Sequence, residues 1–338
     1  MEMNELQHPD SIWTWKSNAR RGKASLWIPY LSEVKSLKGD RYSFTYNGGS
    51  IEARLKNIDF IMLYGASGSL PVEFLDALNK QKIPMIIHRR NLSDPYLFLP
   101  TYHSDRQDIL TAQILARQNQ IKATYVARTL LKARIANMAG TIRVSASTTK
   151  SIMACRSITG LRSIEAQITK RYWRAYYGMA GLGTIARRDR SQPINQALNA
   201  GSLFLSGVIL RWVLYHRLSP QHGFLHVQSS YPSLVYDLIE PFRFIIEEAA
   251  LQASQEAKEK QMLVAYTIEI MKDLLEEPIY VPATRQQVHR KNTIHGAVLA
   301  LRAYLIGDMA RLVLPLEGAK GGGRPIAISY RLPGEIRK

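Results

Sequence analysis

Over its first hundred residues the chain sets its apolar side chains in short runs rich in β-branched and aromatic residues. Ala24 to Leu31, Tyr42 to Tyr46, Ile51 to Leu55 and Ile58 to Tyr64 read as strands. Turn residues punctuate them at Gly39-Asp40 and Asn47-Gly48-Gly49. Pro71 to Lys80 has helical spacing, with Val72, Leu75 and Leu78 on one side, and Ile83 to His88 reads as a strand again. The pattern predicts a small β-rich domain with one helix over residues 1–100.

From about Asp105 the period lengthens to three and four. Ile109 to Met138 reads as one or two amphipathic helices, Ile158 to Met179 as another and Ile194 to His216 as another. In the last of these Ala197, Ala200, Gly201 and Gly207 are small, which predicts close helix packing. Ser233 to Ser254, a Glu- and Lys-rich helix around 255–277, and Thr293 to Leu314 complete the pattern. Pro241 lacks a backbone N–H and is expected to kink its helix just after Glu240. The fold class that follows is α+β, a small N-terminal β-rich domain followed by a larger all-α domain over 101–318. A Gly-rich basic tail, 319–338, is expected to be flexible.

Charge changes this picture more than composition does. The apolar fraction of 46% in 338 residues excludes wholesale disorder, and the single cysteine, Cys155, excludes a disulfide framework or a Cys-rich zinc module. Lys and Arg number 45 against 27 Asp and Glu, a net charge of +18. Residues 101–220 hold +14 of it, against +3 before and +1 after. That concentration implies a polyanionic partner, nucleic acid ahead of an anionic membrane face. Met1 to Asp10 is polar, and the apolar run Leu203 to Leu210 is short of the ~20 residues of a membrane span. A soluble, cytoplasmic protein is expected.

Between Asp108 and Asp237 only two acids occur, Glu165 and Asp189. Asp189 lies among Arg187, Arg188 and Arg190, whereas Glu165 has no such local partner. It is either an internal ion-pair partner or a group kept for chemistry on an anion. Two other places could join it: Gly223-Phe224-Leu225-His226, a turn-like segment, and Asp237 with Glu240, three apart and so on one helix face. Glu, His and Glu or Asp form a mixed oxygen and nitrogen donor set that suits Mn2+ or Mg2+ with open water positions. His222 and His226 are four apart, but Gly223 and Pro220 argue against the regular helix a zinc pair would need.

These segments resemble, in order and spacing, the CRISPR-associated endonuclease/integrase family, the catalytic subunit of spacer acquisition. Glu165 precedes Tyr172-Trp173; Pro193 to Asn199 follows; then Gly223 to His226; then Ser233-Leu234-Val235-Tyr236-Asp237-Leu238-Ile239-Glu240-Pro241-Phe242-Arg243, which is similar almost residue for residue. Upstream, Leu75 to His88 resembles the end of the family's β domain. Gln113, Arg128 and Lys132 to Asn137 resemble its first basic helices. Around His88-Arg89-Arg90 the pattern departs from the family's.

The resemblance implies metal ligands at Glu165, His226 and Glu240, with Asp237 a second acid of the catalytic group beside them. It places an aromatic next to the site at Tyr236 and phosphate contacts at Lys170, Arg171, Arg174 and Arg243. It implies Mn2+ or Mg2+ as cofactor. The reaction would be attack of a DNA 3′-hydroxyl on a phosphodiester at the edge of a CRISPR repeat. The implied partners are double-stranded and branched DNA, CRISPR repeat DNA, a second copy in a homodimer formed through the β-rich domain, and a small companion subunit. No membrane is expected among them. No Walker-type phosphate loop is present, since Gly321-Gly322-Gly323 lacks the following Lys-[Ser/Thr]. A casposase-like transposon integrase and a non-catalytic DNA-binding scaffold are the competing readings. The former is disfavoured by a tail too short for an appended helix-turn-helix.

Overall fold

The structure is a computed structural model, and it describes residues 13–16, 23–88, 95–101, 108–138, 140–228, 230–256, 262–319 and 324–333. The expectations attached to Arg89, Arg90 and Lys320 lie outside these residues.

Among the described residues, the N-terminal region is built from β1 (Trp13–Lys16), β2 (Ala24–Pro29), β3 (Leu31–Ser36), β4 (Arg41–Tyr46), β5 (Gly49–Arg54), β6 (Ile58–Tyr64), β7 (Met85–His88) and β8 (Tyr96–Phe98). The run Ala24 to Leu31 is broken by Tyr30, whose φ of 51° turns the chain into β3. Strands β3, β4 and β5 form an antiparallel meander, while β2, β6 and β7 pair in parallel, with β1 and β8 antiparallel at the edges. Helix α1 (Val72–Gln81) crosses from β6 to β7 and buries Phe74 and Leu78 against Phe44 and Leu55. One face of the five-stranded sheet is thereby covered.

The other face carries Trp27, Phe60, Met62 and Ile86, which belong to the core of the helical region. The two regions meet closely at Gly207: a Cβ there would stand 1.8 Å from the Phe60 ring, so only glycine lets the helix approach. Asp59 beside Phe60 is ion-paired to Arg211 and accepts from Ser25 Oγ at 3.0 Å.

The helical region follows the predicted spacing. Its helices are α2 (Ile109–Gln118), α3 (Gln120–Met138), α4 (Ala146–Ala154), α5 (Ile158–Met179), α6 (Pro193–Tyr215), α7 (Ser233–Ile239), α8 (Arg243–Glu256), α9 (Leu263–Glu276) and α10 (Arg290–Leu305). Helix α6 is long and apolar enough to cross a membrane by composition alone, yet 83% of its most apolar window is buried in the protein. Pro241 breaks the expected Ser233 to Ser254 helix: Glu240–Phe242 form a 3-10 turn between α7 and α8. Asn137 Nδ2 donates to the Pro241 carbonyl at 2.7 Å.

Two details differ from the expected all-α second half. A small sheet of β9 (Pro278–Val281), β10 (Gln286–His289) and β11 (Ile326–Ala327) packs beside α10, which Gly307 at φ 84° helps to end short of Leu314. Its third strand comes from the tail expected to be flexible. Over 324–333 that tail is docked: β11 pairs with Gln287 and Val288, and Tyr330 is buried against Gly296, where a Cβ would meet its ring at 2.4 Å.

Candidate metal centre

Three elements deliver the site. Glu165 sits in the second turn of α5, whose N-terminus is capped by Ser157 Oγ accepting from Gly160 N at 3.1 Å. Glu240 opens the 3-10 turn at the Pro241 break. His226 ends a loop held from both sides. Buried Gln113 accepts from Ser219 N at 2.8 Å and donates to the carbonyls of Ser219 and His222 at 2.9 and 2.8 Å. Gly223 has no room for a Cβ, which would lie 2.6 Å from the His226 carbonyl. Phe224 and Leu225 are fully buried and anchor the turn.

The loop wraps around Asp237. Its carboxylate, with no exposed surface, accepts from Phe224 N at 2.5 Å, Leu225 N at 2.9 Å and His226 N at 2.9 Å, and pairs with His226 Nδ1 at 2.7 Å. With Nδ1–H donating to Asp237, the lone pair of His226 is left at Nε2. Asp237, expected among the catalytic acids, is wholly engaged in holding this loop and orienting the imidazole. One ligand atom each from Glu165, His226 and Glu240 lies within 4.8 Å of the others.

The electrostatics fit a divalent cation. Burial works to raise the Glu240 carboxyl, but Arg243, Arg134 and His226 outweigh it and hold it below its usual range. Arg243 reaches Glu240 Oε1 at 3.0 Å and Arg134 reaches Oε2 at 3.5 Å. Burial, then repulsion by Glu240, raise the Glu165 carboxyl. Burial disfavours the His226 imidazolium, yet the hydrogen bond and charge of Asp237, with Glu240 and Glu165, raise it. Glu165 and His226 thus hold protons more tightly than free side chains do, as two acids and an imidazole facing one space should. A hard cation with borderline nitrogen affinity would replace those protons, and the set suits Mn2+ or Mg2+.

The phosphate contacts expected near Glu165 are arranged differently. At 3.6 residues per turn Lys170, Arg171 and Arg174 lie roughly 120–180° around α5 from Glu165, and all three are exposed. Arg243 is engaged by Glu240 and, at 3.6 Å, by Glu247. Tyr236 packs edge-on against Tyr231, ring centroids 5.3 Å apart.

Sequence reasoning missed the support beneath the site. Arg134 is 2% exposed and grips Glu247 with both guanidinium nitrogens, at 2.8 and 2.5 Å. Tyr172 donates to the same carboxylate at 2.6 Å, and Tyr176 donates to the Glu247 carbonyl at 2.8 Å. The signal was available in α3, where Arg134 stands in phase with Leu130, Leu131, Ile135 and Met138 on the buried stripe.

The family model described as CRISPR associated protein Cas1 matches residues 31–264. A CRISPR-associated endonuclease Cas1 from Pyrobaculum aerophilum is 31% identical over 124 residues, which is 36% of this chain and 42% of that protein. The matched stretch therefore spans less than half of this curated relative. Among solved structures, a casposase bound to integration product superposes with a TM-score of 0.73 at 18% identity, covering 93% of this chain and 97% of the casposase chain. A CAS1 protein from Thermotoga maritima superposes with a TM-score of 0.70 at 19% identity, over 88% of this chain and all of that one. At these identities the structural matches speak for the fold.

Proposed function

The chain belongs to the CRISPR-associated Cas1 family, and from that premise we propose that it is a metal-dependent DNA endonuclease and integrase that inserts short DNA fragments at a CRISPR repeat. The observation that carries the reading is the convergence of Glu165, His226 and Glu240 on one space, with His226 aimed by a buried Asp237. Glu165, Glu240 and His226 Nε2 are the groups that would hold Mn2+ or Mg2+. Held there, such an ion would supply Lewis-acid chemistry, lowering the pKa of an attacking hydroxyl and stabilising charge on the phosphorus and the departing oxygen.

The chain's own residues do the rest. Asp237 fixes the imidazole ring and its tautomer. Arg134 and Arg243 keep Glu240 ionised without occupying Glu165, so the pocket retains negative charge for a cation. Exposed basic residues of the +14 segment, such as Lys132 and Arg162, offer the DNA backbone a surface. A 3′-hydroxyl forms one P–O bond as another breaks, so no nucleotide cofactor enters. The working unit on this reading is a homodimer with a small companion subunit, acting on double-stranded and branched DNA. In Mn2+ the protein should nick branched DNA and transfer a labelled duplex into a repeat-bearing target. A DNA-binding scaffold would do neither.

A further inference from the structure

The tail and the β9–β10 hairpin enclose a solvent-open groove of about 610 Å3. Its walls carry Arg285 at the hairpin turn, Arg324 and Arg331 from the tail, and the neutral donors Thr284, Gln287 and Ser329. Among the described residues no carboxylate lines it. The acids flanking the hairpin, Glu277 and Glu317, are held instead by Arg290 at 2.7 and 3.3 Å. Among the described residues no carboxylate pairs with Arg285, Arg324 or Arg331. Thr284 is only 6% exposed, and its hydroxyl has no hydrogen-bond partner among the described residues.

The arginines are set on a fixed frame. Arg324 Nη1 donates to the Arg285 carbonyl at 2.8 Å, and the backbone N–H of Arg331 donates to Gln286 Oε1 at 3.1 Å. Asn292 Nδ2 donates to the Ile328 carbonyl at 3.1 Å, which ties the tail to α10. Three exposed arginines lining one groove, with no carboxylate beside them among the described residues, offer an anion a positive surface, and an orphaned buried hydroxyl invites an acceptor.

We propose that this groove binds the phosphodiester backbone of DNA, at a second site that shares no residue with the Glu165–His226–Glu240 cluster. The inference rests on the reading of the chain as a DNA-acting protein. Guanidinium forks match phosphate oxygens two at a time, and Thr284 and Gln287 donate to the remaining oxygens. The tail's role on this view is to complete the groove.

The test is fluorescence anisotropy with a labelled DNA duplex across a salt series, on the full chain, for wild type and Arg285→Gln/Arg331→Gln. The variant should bind on the order of tenfold more weakly, with a log–log salt slope shallower by about 1.8, or 0.9 per phosphate lost. Its Mn2+ binding should be unchanged. In parallel, phenylglyoxal modification of the wild-type protein, mapped by mass spectrometry, should show Arg285, Arg324 and Arg331 protected by saturating duplex. That arm needs no variant to fold. Unchanged affinity and slope in a folded variant, or full modification under bound duplex, would overturn the groove while leaving the catalytic reading in place. Protection by polyglutamate and not by DNA would overturn it in favour of an acidic protein segment. If wild type binds no duplex at all, the DNA-acting reading falls first.

Discussion

Two charge clusters lie against each other in the helical region, and they differ in how completely they are satisfied. In one, Glu247 receives both arms of Arg134 and the Tyr172 hydroxyl, so its carboxylate oxygens are fully committed. In the other, Glu165 and Glu240 face His226 with too little positive charge between them, and Glu165 and His226 compensate by holding protons. Arg134 and Glu247 are almost wholly buried while Glu165 and His226 are partly exposed, and Arg134 touches both clusters. A folded interior tolerates the first arrangement on its own terms. On the proposed reading a cation completes the second, and the difference then separates scaffolding from chemistry.

The largest effect should come from breaking the satisfied cluster. Arg134→Met leaves the Glu247 carboxylate buried without its partner and should destabilise the protein by about 3–5 kcal/mol in urea unfolding. The double variant Arg134→Met/Glu247→Leu should recover part of that loss, because no charge is then stranded.

The unsatisfied cluster should respond in the opposite sense. Glu165→Gln relieves repulsion from Glu240, so its melting temperature should equal or exceed that of wild type. Strand transfer in Mn2+ should fall on the order of a hundredfold, or about 2.7 kcal/mol in the barrier. A Glu165→Gln variant as unstable as Arg134→Met would erase the contrast.

A third buried group extends the comparison to pH. His216 and His295 are joined Nε2 to Nε2 at 2.8 Å, with Trp212 stacked on His295 at 3.6 Å. Burial first, then Arg302, push His216 down to about 4. Burial, then His216 and Arg211, push His295 down to about 2. The unfolded chain therefore takes up protons that the folded one refuses. Stability from the pair is full above the ordinary histidine value and is lost as pH falls from there toward 4. His216 alone should account for about 2 kcal/mol between pH 7 and pH 5, read by denaturant unfolding at both. His216→Phe should remove the His216 share of that dependence and leave the share of His295, whose depression comes first from burial.

Much of this was legible in the sequence, for identifiable reasons. The α5 bounds follow from the apolar period, and the structure adds the Ser157 cap. The resemblance pointed to Glu165, His226 and Glu240, which do face one space, and the motifs that carry it hold residues forced locally, Gly223 by lack of space and Pro241 by its missing N–H. What was hidden depends on tertiary partners. Arg171 and Glu165 look adjacent in sequence but leave α5 on different sides. Arg243 looks like a free cation until Glu240, three residues earlier, claims it at 3.0 Å. The small sheet was illegible because β9 and β10 have four residues each and β11 only two, drawn from a Gly-rich tail whose docking depends on Tyr330 finding Gly296.

The central claim is that Glu165, His226 and Glu240 form a cation site rather than a buried ion-pair cluster. Isothermal titration of Mn2+ into wild type, Glu165→Gln and Glu240→Gln, each checked by a thermal melt, tests it most directly. Saturable Mn2+ binding to wild type, accompanied by proton release and strongly weakened in both folded variants, is the expected result. Mn2+ binding that is unchanged in the two variants, or absent from wild type, would contradict it.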